Sequence, residues 1–485
     1  MSVLEPTPST TATRTECDSL GAIAVPAEHY WGAQTQRSLI HFAIGDERMP
    51  VAVIHAYALV KKAAGATNAD AGRFDRRLAD AIVAAAEEVI AGRLDAEFPL
   101  SVWQTGSGTQ TNMNLNEVIA NRANLSLGAE LGANYPVHPN DHVNMSQSTN
   151  DGFVTAMHIA TLVAVREHAL PRIDALVATI RAKAAQWVDV IKIGRTHLQD
   201  ATPITVGQEW SGWAAQLTDA RDRLDQALES LCALAIGATA VGTGLNAPDR
   251  FGEDVAARLA ASTGLPLRAA GNRFAALGSL DAMVAVSAGL RGVAVALMTL
   301  ANDMRWLGSG PRTGLHELKL PANEPGSSIM PGKVNPTLQE AAVMVAHQVI
   351  GADAIVASAG AQGNFQLNTM RPIVIRNVLH SARILGDAAE NLRRYSVQDT
   401  ELDGDRIGEY VDRALMLVTA LSPHIGYEKS AAIAHRAERE GSTLRDAALL
   451  LDVAPGDFDR IADPANMVGS PRRDLGIAEA DGRSS

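Results

Sequence analysis

Met283-Val284-Ala285-Val286-Ser287-Ala288-Gly289-Leu290-Arg291-Gly292-Val293-Ala294-Val295-Ala296-Leu297-Met298-Thr299-Leu300-Ala301-Asn302-Asp303-Met304 decides how this chain is read. Met283, Val286, Leu290, Val293, Leu297, Leu300 and Met304 recur at steps of three and four, which a 3.6-residue period places on one stripe as a heptad seam. Ala285, Ala288, Gly289, Gly292, Ala294 and Ala296 occupy the other faces, where neighbouring helices can approach closely. Apolar or small side chains all round identify a helix buried in a bundle, and the stripe itself reads as packing rather than as a cofactor site. A helix of this length, at about 1.5 Å per residue, exceeds what a small monomeric core needs and suits packing between subunits.

Outward from this helix, the chain from Val154 to about Leu300 is rich in Ala, Leu and Val at helical periodicity, and alternating strand-like runs are scarce. The chain is therefore mostly helical. Its 485 residues exceed one ordinary hydrophobic core, which predicts about three domains or one very extended architecture. Near the C-terminus, Glu428 to Glu440 reads as a helix stopped by Gly441, with Ser442 or Thr443 capping the next helix from Leu444. That segment forms a small helical domain of its own. The first sixteen residues, rich in Ser, Thr and Pro, read as a frayed tail, and the last fifteen, from Pro471, as a disordered one.

The formal charge of −12 disfavours nucleic acid and weakly repels a dianionic substrate, so any dicarboxylate must be captured locally by helix N-termini, amides and a few placed cations. Cys17 and Cys232 lie far apart and form no CxxC pair, the usage of a reducing, cytoplasmic compartment. No apolar leader is present, and the longest apolar helical stretch is interrupted by Arg291, so no membrane span is expected.

Polar segments punctuate this frame. Gly326-Ser327-Ser328-Ile329-Met330-Pro331-Gly332-Lys333-Val334-Asn335-Pro336 places two hydroxyls, an ammonium and an amide on a loop bounded by Gly and Pro. It is not a phosphate-binding P-loop: one residue too many separates its glycines, and Val334 stands where a metal-binding hydroxyl should follow the lysine. Thr105-Gly106-Ser107-Gly108-Thr109-Gln110, with Asn112, Asn114 and Asn116 behind it, is either a neutral anion cradle or a helix-capping turn. His138-Pro139-Asn140-Asp141-His142 reads as a turn, and its two histidines lack the further ligands of a metal site, so no metal is expected. Ser148-Thr149-Asn150-Asp151 follows. In Gly194-Arg195-Thr196-His197-Leu198-Gln199-Asp200-Ala201, the histidine suits proton traffic at neutral pH if a carboxylate orients it; alone it is an ordinary hydrogen-bonded residue. Glu340 is the candidate carboxylate, although Thr337-x-x-Glu340 also fits a capping box.

Together with Trp31 to Arg37, Gly242 to Asn246 and Gly363 to Asn368, these segments resemble the class II fumarases of the fumarase/aspartase superfamily over nearly the whole chain. The resemblance implies a three-domain, mostly α fold with domains at 1–147, 148–404 and 405–470, the central one a long-helix bundle forming the core of a homotetramer. The tail covers 471–485. It implies reversible hydration of fumarate to L-malate without metal or organic cofactor, at sites shared between subunits. Ser327 takes the proton from C3 of malate, His197 paired with Glu340 handles the water at C2, and Lys333 and Asn335 hold a carboxylate. Ser107, Thr109, Ser148, Thr149, Asn150 and Thr196 line the substrate, and His138, Pro139, Asn140 and Asp141 form a second, weaker anion site. Thr149 and Gln366 depart mildly from the commonest family pattern, and the first is shared with aspartases. Aspartate ammonia-lyase is the alternative activity; those enzymes carry Gln where His197 stands here. A catalytically silent protein on the same fold would be expected to have lost Ser327, Lys333 or His197, and it has lost none.

Overall fold

The computed structural model describes residues 12–477. It is mostly helical, and among the described residues the strands form only two-stranded sheets. Two compact units emerge, one drawn from Met1–Ala169, Arg223–Arg291 and Gln348–Ile384, the other from Leu170–Asp222, Gly292–His347 and Leu385–Ser485.

The Met283–Met304 stretch lies in the helix Asp281–Leu307, and all seven seam residues are at most 1% exposed. Arg291, which interrupts the apolar run, donates to Asp353 Oδ2 at 2.7 Å, while Ser287 Oγ donates to the same carboxylate at 2.7 Å. By length and composition alone this helix and Thr337–Gly360 are long and apolar enough to cross a membrane. Neither is free of charge along its length: Arg291 interrupts the first, and Glu340 and Asp353 lie in the second.

In the first unit the helix Val51–Asp70 is buried on most of its circumference because Arg76–Ile90, Thr149–Val163 and Phe251–Thr263 all pack on it. The Trp31–Arg37 motif opens the helix Ala33–His41, whose start has no side-chain cap of its own. Glu117, from the helix Thr109–Ser126, serves instead. Its carboxylate accepts from Gly32 N at 2.9 Å, Gln34 N at 2.8 Å, Thr35 N at 3.2 Å and Thr35 Oγ1 at 2.6 Å. A Cβ on Gly32 would lie 2.5 Å from Glu16 Oε2 and 2.9 Å from Glu117 Cδ, which explains the glycine. Burial pushes the Glu117 carboxyl up to about 7, against the lowering effect of its donors.

Thr13–Asp18 pairs antiparallel with Gly21–Pro26, so residues 13–16 are strand where a frayed tail was expected. Arg14 secures them by donating to the carbonyls of Pro26, His29 and Trp31. The rest of that expectation, residues 1–11, lies outside the described residues.

In the second unit, Ile191–Thr196 and Gln199–Thr205 form an antiparallel hairpin with an irregularity between Ile193 and Arg195. Lys192, buried at its base, lies 2.7 Å from both Glu209 and Glu317, and Arg195 pairs with the other oxygen of Glu317 at 2.5 Å. Ile193 enters the same apolar cluster as Leu417, Leu421, Ile433, Leu444 and Phe458. The hairpin is thus anchored in the C-terminal core. There, the helix Tyr427–Glu440 ends on Gly441 at φ 63°, and Thr443, not Ser442, caps Leu444–Leu449 by accepting from Asp446 N. The tail expected from Pro471 begins with a helical turn, Pro471–Asp474, held by Arg472 to Asp189 and by Gln208 Nε2 to Asp474 at 2.9 Å; residues 478–485 lie outside the described ones.

Replacing Lys192 with Met should cost about 3–5 kcal/mol of stability, because it leaves Glu209 and Glu317 without their buried cation. Denaturant unfolding would read this as a lower midpoint, and an unchanged midpoint would refute the role given to Lys192.

Candidate functional site

The loop carrying Ser327 is closed on itself. Gly326 N donates to Lys333 O at 2.8 Å, and Asn335 Nδ2 donates to Gly326 O at 2.6 Å. No side chain fits at Gly326, since its Cβ would meet the Lys333 carbonyl, and Gly332 turns the chain at φ +81°. Within this ring Ser327 Oγ accepts from Ile329 N at 3.2 Å and Met330 N at 3.0 Å. Two amides aimed at one oxygen stabilise negative charge there. Lys333 lies exposed on the same loop. The Asn335 amide is spent on closing the loop, a use the sequence did not suggest.

His197 and Leu198 are the two central residues of the hairpin turn, both left-handed at φ 57° and φ 60°, with Thr196 opposite Gln199. Such a turn matches the twist of the strands but favours Asn or Gly, so two ordinary side chains here carry strain of about 1–2 kcal/mol per residue. Thr196 and His197 lie in the open at the tip. A cavity of about 700 Å³ lies beside it, lined by Arg195, Leu198, Asp200, Trp306 and Tyr410 among others.

Glu340 is exposed in the first turn of Thr337–Gly360, 4.0 Å from Arg305, and makes no hydrogen bond to His197 of its own chain. The capping box does not form. Thr337 is the first helical residue rather than the cap, and its hydroxyl bonds Glu324.

The first unit holds a hydroxyl- and amide-rich cavity of about 590 Å³, where Thr109, Asn112, Asn140, Ser148, Thr149 and Asn150 converge with Leu245 and Asn246. Ser107 Oγ lies 2.8 Å from Thr109 Oγ1 at its edge. Gly108, at φ 84°, starts the helix Thr109–Ser126, and a Cβ there would lie 2.5 Å from the Phe153 ring. The segment is therefore helix start and cavity wall at once. Ser148 likewise caps Thr149–Val163, accepting from Asn150 N while its own N–H donates to Asp151. Asp151 is fully buried and also accepts from Gly237 N at 3.0 Å and Thr239 N at 2.9 Å, tying the segment that carries Thr239 to the cavity. Burial pushes its carboxyl up to about 6.

His138 to Asp141 enter a π-helical turn, Pro139–Val143, that His138 caps: Nδ1 accepts from Asn140 N and Asp141 N, which leaves the neutral ring's proton on Nε2. The adjoining cavity, about 430 Å³, is lined by His138, Pro139 and Asn140 but also by Glu16, Asp18 and Glu117, an acidic wall for an anion site.

Sequence reasoning passed over Lys61, one of two lysines among alanines on Val51–Asp70. Its ammonium is buried and donates to Asn144 Oδ1 at 3.0 Å and Gln147 Oε1 at 3.1 Å, two side chains of the cavity wall. Burial pulls it down to about 7. Among the described residues no three His, Cys, Asp or Glu side chains group as metal ligands do.

Residues 21–351 match the family model described as lyase, and residues 417–469 the one described as fumarase C C-terminus. The chain is 61% identical to the class II fumarate hydratase of Methanosarcina acetivorans, covering 96% of this chain and 97% of that protein. It is 58% identical to that of Thermosynechococcus vestitus, over 93% and 97%. The solved class II fumarase from Schistosoma mansoni superposes with a TM-score of 0.93 at 44% identity, covering 94% and 99%.

The Lys61 environment predicts a pH effect. Its folded value lies below that of an unfolded lysine, so the unfolded chain binds the extra proton between about pH 7 and 10, and the wild type should gain stability relative to Lys61→Met as pH rises through that window. Unfolding free energies of both proteins at pH 7 and near pH 9.5 check this; a gap that stays constant or moves against the wild type would contradict it.

Proposed function

The chain belongs to the class II fumarate hydratases, and we propose that it is a lyase hydrating fumarate reversibly to L-malate, with Ser327 as the base at C3 of malate. The observation that carries this reading is the pair of amides on Ser327 Oγ within a loop that also holds Lys333. A serine is a poor base until its oxygen is stabilised as an anion, and donors fixed before the reaction do this without reorganising. Removing the C3 proton of malate leaves an aci-carboxylate that carries extra charge beside the existing carboxylate. Lys333 and Asn335, from the same loop, hold that carboxylate, the ammonium meeting its added charge.

Substrate carboxylate is held by Ser107, Thr109, Ser148, Thr149 and Asn150, with Thr196 from the hairpin. The positive end of the helix Thr149–Val163 favours an anion at this cavity despite the acidic chain. At C2, His197 donates the proton that lets water leave from malate and removes it again in hydration. It has no hydrogen-bond partner among the described residues of its own chain, and Glu340 is the orienting carboxylate assigned to it. His197 favours water over ammonia as the leaving group, because an ammonium departs already protonated. His138 to Asp141 remain the proposed second anion site.

The working form is a homotetramer in the cytoplasm, serving the tricarboxylic acid cycle, with domains at 1–147, 148–404 and 405–470. Exposed apolar side chains on the long helices support the assembly: Val295 and Trp306 on one, Met344 and Ile355 on another.

Purified protein should hydrate fumarate without ammonium and unaffected by EDTA, and Ser327→Ala should lower kcat at least about a hundredfold with assembly intact. Ammonium-dependent formation of aspartate, or a variant altered only in KM, would sink the assignment. For the shared site, His197→Asn and Ser327→Ala refolded together should regain up to about a quarter of the active sites. Mixed tetramers no more active than the separate variants would refute it.

A further inference from the structure

Arg371, the first residue of the helix Arg371–Tyr395, is 0% exposed, yet no carboxylate hydrogen-bonds to it. Its guanidinium donates instead to main-chain carbonyls: Nη1 to Asn150 O at 2.8 Å and to Thr149 O at 3.5 Å, and Nη2 to Leu277 O at 3.1 Å. Nε has no partner among the described residues. Its backbone N–H donates to Gly106 O at 3.1 Å, and Gly106 approaches so closely that a Cβ on it would overlap the Thr369 carbonyl.

One residue therefore touches both hydroxyl-bearing walls of the first unit's cavity, the loop of Ser107 and Thr109 through its main chain and the helix start at Thr149 and Asn150 through its side chain. Burying a guanidinium is costly, and helix packing alone would be served by an apolar side chain of similar volume. A planar fork of donors on a short tether is suited to holding two separate backbone segments at one spacing. Burial pulls its value down to about 10, against the raising effect of nearby Tyr57 and Asp151, so it stays charged at neutral pH and places a positive charge behind the carbonyls of Thr149 and Asn150.

We propose that Arg371 is a positioning residue for the hydration reaction, setting the distance between the Ser107–Thr109 loop and the Ser148–Asn150 helix start so that both reach one substrate carboxylate. This inference rests on the functional reading above. It predicts an effect on substrate binding, because contacts to an unreacting carboxylate are made equally in the ground and transition states.

The test is steady-state kinetics with fumarate on the full-length wild type, Arg371→Lys and Arg371→Gln, with a thermal melt of each. A wild type that does not hydrate fumarate would remove the functional reading and this inference with it, before any variant is compared. With an active wild type, Arg371→Gln should raise KM about tenfold or more while kcat changes less than about threefold, the scale of losing hydrogen bonds to a charged group. Arg371→Lys, keeping the charge but not the fork, should fall between the two in KM. A KM within twofold of wild type in Arg371→Gln, a loss confined to kcat, or activity that merely follows the folded fraction would overturn the proposal. Where Arg371→Gln does not fold, Arg371→Lys decides by the same KM criterion, and failure of both to fold would assign the residue to folding and equally overturn it.

Discussion

A carboxylate cut off from water must be met by donors, and three such groups hold the polar parts of this chain onto its helices. Glu117 gathers the amides of Gly32, Gln34 and Thr35 and so starts a helix that has no cap of its own. Asp151 gathers Ser148, Gly237 and Thr239 and so joins two segments far apart in sequence. Glu317 takes Lys192 and Arg195 and so anchors the hairpin that carries His197. An unmet buried charge costs several kcal/mol, which makes each arrangement effectively all-or-none. The helices provide rigidity, and these carboxylates decide where the loops attach to it.

The same logic resolves the conflict between an acidic protein and an acidic substrate. Global charge acts weakly across water and salt, whereas a helix start and a buried cation act over a few ångströms. Hydroxyl and amide side chains line the first unit's cavity, with Lys61 and Arg371 behind them rather than in it.

Several readings from the sequence survived because they rest on local physics. The seam from Met283 to Met304 is buried as its spacing requires, and Gly441 and Thr443 end one helix and cap the next. Others failed where local patterns are degenerate. Thr337 and Glu340 have the spacing of a capping box, yet Pro336 rather than Thr337 precedes the helix. Arg14 turns a segment that reads as frayed into a strand by reaching carbonyls more than ten residues away, which no window reveals. Lys61 and Arg371 look like surface cations on a helix and at a loop's end, and only their neighbours make them interior.

The sequence by itself determined the helical class, the heptad core, the capped C-terminal helices and the polar segments proposed for chemistry, since periodicity, turn residues and hydroxyl-rich runs express short-range preferences. Tertiary structure alone decided which walls share the cavity of Thr109 and Asn150, and which charges lie out of water. Those depend on contacts between residues tens to hundreds of positions apart. Their energies come from desolvation and hydrogen-bond geometry, quantities that exist only once the distant segments have been brought together.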